Sequence, residues 1–195
     1  MNFLAHLYLS EDHPKVMVGN FIGDFVRGRN LTEQFEADVA RGIELHRAID
    51  EFTDTHPIVK KSKDRLRPEY RHYSPVIVDI FYDHFLAADW KNYHPVKLED
   101  YTQFAYQTIM QFDDILPERV KYLLPFMTKG NWLLQYATIE GIHRALSGMA
   151  NRTPYESKME MASEDLRKDY SLYKKEFTEF FGELQTHSHE WLQNN

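Results

Sequence analysis

Hydrophobic residues recur every three to four positions along almost the whole chain, a spacing typical of helices that bury one face. Strand-like alternation is weak, and no repeat or linker divides the sequence. We therefore predict an all-α protein, a single-domain multi-helix bundle over residues 1–195. Asp54 is expected to cap the fourth helix and Pro68 to end it. The predicted helices cover residues 3–9, 14–27, 36–53, 54–68, 75–90, 98–112, 117–127, 132–149 and, as a long C-terminal helix, 156–184.

Acidic residues interrupt the apolar pattern of the helix at 75–90. Asp79 and Asp83 lie one turn apart, about 40° apart around the helix axis, and apolar residues occupy both sides of the helix. This helix should therefore be central, where carboxylates are costly unless a proton, an arginine or a cation compensates them. His84 points about 100° away from Asp83, so it is expected to orient a neighbour or to bond a carbonyl.

Two further helices carry the same kind of residue. His46 and Asp50 are four positions apart and can bind one divalent ion from a single helix, although an ordinary ion pair or a hydrogen-bonded core histidine explains them too. On the helix at 14–27, Asp24 shares a face with Met17 and Phe21, and Gly19 and Gly23 beside this face allow another backbone to approach closely. Simple helix packing with Asp24 in solvent explains this pattern too. Each signal is weak alone, but acidic and imidazole groups on three apolar helices together predict a divalent metal site.

The bulk composition narrows the chemistry of such a site. The sequence has no cysteine, so a metal must be held by His, Asp, Glu, backbone or water. The net charge of −7 disfavours nucleic acid as the main partner. No apolar run reaches the ~20 residues of a membrane-spanning helix, and the N-terminal stretch lacks the features of a signal peptide. We therefore expect a cytoplasmic protein that binds neither nucleic acid nor membrane, of unknown oligomeric state.

Other residues are weaker candidates for function. His6, flanked by leucines, is expected to be either a hydrogen-bonded core histidine or a catalytic group. Arg27 and Arg47 are close in sequence to the acidic candidates and could bind a phosphate through two hydrogen bonds, or simply be surface arginines. Residues 58–72 form a basic segment with six positive against two negative side chains, which is either a docking surface or a solvated helix face.

Five stretches resemble the acyl carrier protein phosphodiesterase family. They are MNFLAHLYLS, GNFIGDFVRG, GIELHRAIDEFTD, the 75–90 helix with DIFYDHFLAADW, and GMANRTP near residue 150. The resemblance implies an all-α fold distantly similar to the HD-domain phosphohydrolases and a divalent metal, expected to be Mn²⁺, with Mg²⁺ or another ion as alternatives. It implies hydrolysis of the bond between 4′-phosphopantetheine and holo acyl carrier protein. By matching motifs, the expected metal ligands are Asp24, His46, Asp50 and Asp83, and Asp79 and His84 are the next candidates, as catalytic residues.

The implied reaction assigns roles to the remaining candidates. His6 or His84 would protonate the leaving serine oxygen, and Arg27 or Arg47 would offset the charge of the phosphoryl group. The carrier is acidic, so the basic segment 58–72 would receive it. The residues alone leave two alternatives open, a metal phosphohydrolase acting on a nucleotide or another small phosphodiester and a non-enzymatic all-α binding module.

Overall fold

Helices build almost the entire chain in the computed structural model, which describes all residues from 1 to 195. No strand occurs, so the all-α prediction is confirmed. The α-helices are α1 (Phe3–Tyr8), α2 (Pro14–Ile22), α3 (Ala37–Thr55), α4 (Pro57–Tyr70), α5 (Ser74–Ala88), α6 (Leu98–Met110), α7 (Glu118–Gly130), α8 (Trp132–Gln135), α9 (Ile139–Ala150), α10 (Ala162–Lys168) and α11 (Tyr170–Asn194). Short 3₁₀ turns, including Gly23–Phe25 after α2, connect several of them.

A single hydrophobic cluster of 51 buried residues forms the core. Helix α5 lies at its centre and packs against α1, α4, α9 and α11, which agrees with the prediction from its apolar pattern. Phe177 and Phe180 of α11 are fully buried, and both contact Tyr82 of α5. None of the helices is both long and apolar enough to cross a membrane.

The closest helix pair is α2 with α3, and two glycines make this approach possible. A Cβ atom at Gly19 would lie 2.1 Å from the carbonyl oxygen of Val39, and one at Gly42 would lie 2.2 Å from that of Val16. Side chains at these positions would therefore push the helices apart. The predicted close approach at Gly19 is confirmed, and it holds Asn20 of α2 against His46 of α3.

Several predicted boundaries are wrong for local reasons. Helix α2 ends at Ile22 rather than at residue 27, and the chain tightens into the 3₁₀ turn that carries Asp24. Asp54 lies inside α3, and the cap of α4 is His56, whose Nδ1 accepts a hydrogen bond from the backbone N–H of Ile58. Pro68 lies within α4 and does not end it.

The largest differences are in the last third of the chain. The predicted helix at 132–149 is divided into α8 and α9, because the side chain of Thr138 caps the N-terminus of α9 by accepting from Gly141 N–H. The predicted helix at 156–184 begins too early and ends too soon. Its first part is a 3₁₀ turn followed by the short α10, and α11 extends to Asn194.

Candidate metal centre

Two histidines and one aspartate from α1 and α3 lie close together beside the end of α2. His6, His46 and Asp50 each place one possible ligand atom within 4.8 Å of the others. The two imidazole rings stack with their centroids 4.0 Å apart and an angle of 19° between the rings. Both histidines are buried, whereas Asp50 is half-buried, so the group has one face towards solvent. Such a group can hold a cation and remain open to a ligand.

Asn20 fixes the protonation of His6. The amide nitrogen of Asn20 donates to the backbone carbonyl of His6 at 2.7 Å and to Ser10 Oγ at 3.0 Å, so Asn20 Oδ1 must accept from His6 Nδ1 at 2.7 Å. The lone pair of His6 therefore lies on Nε2, which is buried, has no hydrogen-bond partner and is 3.3 Å from Asp50 Oδ1. Burial and the neighbouring His46 lower the pKa of His6 to about 4, so it is neutral at pH 7.

The same residue of α2 orients His46. His46 Nδ1 donates to the backbone carbonyl of Asn20 at 2.8 Å, which directs Nε2 towards Asp50 Oδ2 at 3.1 Å and Asp24 Oδ1 at 3.3 Å. Burial disfavours a charged ring, but hydrogen bonds to Asp24 and Asp50 outweigh it and raise the pKa of His46 to about 9. Gly23 makes room for this ring, since a Cβ there would lie 2.3 Å from His46 Cγ.

The carboxylates of Asp50 and Asp24 add negative charge to this group. Burial opposes the ionisation of Asp50, but the hydrogen bond from His46 and the nearby ammonium group of Met1 outweigh it and hold its pKa well below the usual range. The hydrogen bond with His46 also lowers the pKa of Asp24, whose side chain is exposed. Asp24, His46 and Asp50, predicted from signals on two separate helices, therefore lie together.

Asp79 lies next to this group and contacts the chain terminus. The α-amino group of Met1 is 3.2 Å from Asp79 Oδ1 and 3.6 Å from Asp50 Oδ1, and it is shielded from solvent. Burial raises the pKa of Asp79 against the opposing effect of this ammonium group. Asp79 is thus connected to Asp50 through one charged group.

Asp83 was expected to be a metal ligand, but its carboxylate is occupied elsewhere. Its oxygens accept from the backbone N–H groups of Asn2 at 3.3 Å, Leu4 at 2.8 Å and Ala5 at 3.4 Å. Asp83 therefore satisfies the free N–H groups at the start of α1, where a negative charge is favourable. Burial raises its pKa to about 7 in spite of these bonds. Its place beside His46 and Asp50 is taken by His6.

The contacts of His84, Arg27 and Arg47 also differ from those that their expected roles in the reaction require. His84 Nδ1 donates to the carbonyl of Tyr136 at 2.8 Å, and its Nε2 accepts from the Tyr170 hydroxyl at 3.0 Å, so neither nitrogen is free to move a proton. Arg47 donates to the carbonyl of Gly28 at 2.8 Å and thereby braces the loop after Asp24. Arg27 is exposed and makes no ion pair.

The residues present fit a divalent cation. His6 Nε2 is a buried lone pair that faces a carboxylate, an arrangement that is repulsive unless a positive charge lies between the two. Two imidazole nitrogens and carboxylate oxygens suit divalent transition metals such as Mn²⁺, and both rings have the Nδ1 hydrogen bonds that usually orient metal-binding histidines.

A large cavity of about 750 Å³ opens beside this centre, between α7, α8, α9 and the first turns of α1 and α5. Phe25, which follows Asp24, and Val76, one turn before Asp79, contribute to its wall. Three arginines that our sequence analysis did not identify also line it. They lie on separate C-terminal elements with no spacing to reveal them: Arg119, Arg144 and Arg152.

Comparison with known proteins gives a consistent assignment. A model of the acyl carrier protein phosphodiesterase family matches residues 1–184. The acyl carrier protein phosphodiesterase of Photorhabdus laumondii is 36% identical over 93% of this chain and 91% of that protein, and the Enterobacter sp. (strain 638) protein of the same name is 35% identical over 93% and 94%. The Yersinia enterocolitica protein is 33% identical over the same shares. No solved structure matches the chain, and the likeness to HD-domain proteins stays a prediction. The chain belongs to the acyl carrier protein phosphodiesterase family, a family of hydrolases.

Proposed function

We propose that this protein hydrolyses the phosphodiester that joins 4′-phosphopantetheine to a serine of holo acyl carrier protein, giving apo carrier protein and 4′-phosphopantetheine. The family and the relatives' names support the substrate. One observation supports metal-dependent chemistry above all others: the lone pair of His6 Nε2, fixed by Asn20, faces Asp50 with no hydrogen-bond partner. The proposed ligands are His6, His46, Asp50 and Asp24.

The side chains around the centre then have distinct tasks. A divalent cation, proposed to be Mn²⁺, would polarise a phosphoryl oxygen and lower the pKa of a bound water. Asn20 holds both imidazoles in the tautomer that exposes Nε2. Asp79, whose pKa is raised by burial, is the group beside Asp50 that we assign to proton transfer with the leaving serine oxygen, in place of His6 and His84.

Docking of an acidic carrier on residues 58–72 is less favourable than the sequence indicates. Four of the six cations in this segment already have acidic partners, in the pairs Lys60–Asp64, Arg67–Asp64, Lys63–Asp54 and Arg65–Glu176. Only Lys61 and Arg71 remain without a carboxylate partner. We therefore propose that the carrier approaches the unpaired arginines beside the metal centre instead.

Mass analysis of holo acyl carrier protein incubated with this protein and Mn²⁺ tests the proposal. We expect loss of the prosthetic group, abolished by His6→Ala and by Asp50→Asn. Asp38→Asn is the matched control, since it removes an exposed carboxylate from the same helix α3. An intact carrier in the presence of protein shown to bind Mn²⁺ would contradict the proposal, and hydrolysis of a small phosphodiester alone would favour the alternative phosphohydrolase.

A further inference from the structure

The large cavity beside the metal centre has a wall that is mainly apolar. Apolar and aromatic side chains form most of its wall, and they include Phe3, Tyr73, Trp132 and Met149. Its volume of about 750 Å³ falls within the range of roughly 300–1,000 Å³ that is usual for small-molecule sites. Such a cavity suits a ligand with an extended, partly apolar body.

The cavity wall is positively charged, whereas the whole molecule has a negative net charge. The wall contains three arginines and no acidic residue, although the chain carries a net charge of −7. Arginine ion pairs in this protein involve only Arg65, Arg67 and Arg167, so Arg119, Arg144 and Arg152 have no carboxylate partner. Arg144 donates to the side-chain oxygen of Gln135 and Arg152 to the carbonyl of Gly148, but both acceptors are neutral. Three guanidinium charges that no carboxylate compensates around one cavity indicate an anionic ligand.

The cavity wall also includes residues that are close in sequence to the metal centre. The guanidinium of Arg119 lies 5.9 Å from the ring centroid of Phe25, the residue after Asp24. The amide nitrogen of Asn2, at the start of α1, donates to the hydroxyl of Tyr136 in the cavity wall at 3.0 Å. A phosphate held at the metal centre would therefore have the cavity as its neighbour.

We propose that this cavity binds the 4′-phosphopantetheine arm of the carrier substrate, an inference that rests on the proposed function. The phosphate would lie between the metal centre and Arg119, which takes the role expected of Arg27 or Arg47. The apolar walls would receive the methylene and dimethyl groups of the arm. The side-chain oxygen of Gln135 accepts from Arg144, which leaves the amide nitrogen of Gln135 to donate to a carbonyl of the arm. The cavity thus selects a phosphodiester that carries an extended arm.

Gly148 of α9 provides a selective test. It lines the cavity, and a Cβ atom there would meet no atom within 4 Å, so a large side chain can fill the space without a clash at its base. Gly148→Trp should weaken binding of the probe 4′-phosphopantetheine to the Mn²⁺-loaded protein by at least about tenfold in isothermal titration. Gly182→Trp, which makes the same change at an exposed glycine of α11 outside the cavity, should bind like the wild type. Titration with Mn²⁺ alone should be the same for all three proteins.

A second variant tests the charge without filling the cavity. Arg119→Gln should weaken 4′-phosphopantetheine by about tenfold but change the binding of pantetheine, which lacks the phosphate, by less than about twofold. Lys175→Gln is its control, because it removes one exposed positive charge on α11.

The two proposals fail in different ways. Wild-type protein that does not bind the probe, or a Gly148→Trp variant that folds and binds it normally, would overturn the assignment of the cavity even if the holo carrier is cleaved. If the wild type binds the probe and both Gly148→Trp and Arg119→Gln weaken this binding, the assignment of the cavity is supported even if the holo carrier is not cleaved. In that case only the proposed function would be contradicted.

Discussion

Asn20 is the residue on which the geometry of the metal centre depends. Its side chain accepts from His6 and its backbone carbonyl accepts from His46, so one buried residue sets the orientation of both imidazoles. Outer-shell partners of this kind typically contribute about 10–100-fold to metal affinity. We therefore predict that Asn20→Leu weakens Mn²⁺ binding by that amount in isothermal titration. Its control is Ser10→Ala, which removes hydrogen bonds of the Ser10 hydroxyl with the Asn20 amide and the His6 carbonyl but keeps the bond from His6 Nδ1 to Asn20. Equal losses in the two variants would contradict this role.

His46 makes metal binding depend on pH. Its pKa of about 9 means that the metal-free protein holds a proton on Nε2, which a cation must displace. The affinity for Mn²⁺ should therefore rise about tenfold per pH unit below pH 9. The pKa of His46 is 6.5 in the unfolded chain and about 9 in the metal-free fold, so protonation of His46 stabilises the folded state. This stabilisation is complete below pH 6.5 and is lost as the pH rises through about 9.

Thermal denaturation from pH 6 to 8.5, with and without Mn²⁺, measures both effects. We expect the stabilisation of the metal-free protein by protonated His46 to decrease as the pH rises. Over the same range, the increase in Tm caused by Mn²⁺ should become larger. A Tm increase that is independent of pH would contradict the assignment of His46 as a ligand.

At the scale of helices, the contact between α2 and α3 holds the centre together. Gly19→Ala would place a Cβ atom 2.1 Å from the carbonyl of Val39, so the two helices must separate. We predict a loss of about 1–3 kcal/mol in the free energy of unfolding together with weaker Mn²⁺ binding, because Asn20 would move away from His46. Chemical denaturation and metal titration measure the two effects.

Gly182→Ala is the matched control for this change. Gly182 lies in α11, and a Cβ atom there would meet nothing within 4 Å. The same substitution should therefore stabilise the protein by roughly 0.5–1 kcal/mol, as expected for alanine in place of glycine within a helix. Destabilisation by both variants would mean that close packing of α2 on α3 is not the cause.

The helices show how far the sequence can predict this site. His46 and Asp50 share one face of one helix, so their spacing alone brings them together. Asp83 is buried as its pattern predicts, but its partner is the start of α1, 78 to 81 residues away in sequence, and no spacing rule reveals such a contact. His6 was ambiguous for the same reason, since Asn20, the residue that exposes its Nε2, lies on another helix.

At the scale of the whole molecule, charge distribution decides how an acidic carrier approaches. The chain is acidic overall, so attraction requires a local positive surface whose charges no carboxylate of the protein neutralises. Arg144 and Arg152 at the cavity form such a surface, whereas Lys61 and Arg71 are the only cations of the 58–72 segment without a carboxylate partner. We predict that the double variant Arg144→Glu/Arg152→Glu raises KM for the holo carrier by about tenfold or more at low salt.

The double variant Lys61→Glu/Arg71→Glu makes the same change in net charge and serves as the comparison. It should raise KM by less than about threefold, because the four other cations of this segment stay neutralised by their carboxylate partners. Steady-state kinetics at low and at high salt distinguishes the surfaces, since screening should reduce the effect of the cavity variant. A larger, salt-sensitive effect of the 58–72 variant would instead place the carrier on that segment, as the sequence first indicated.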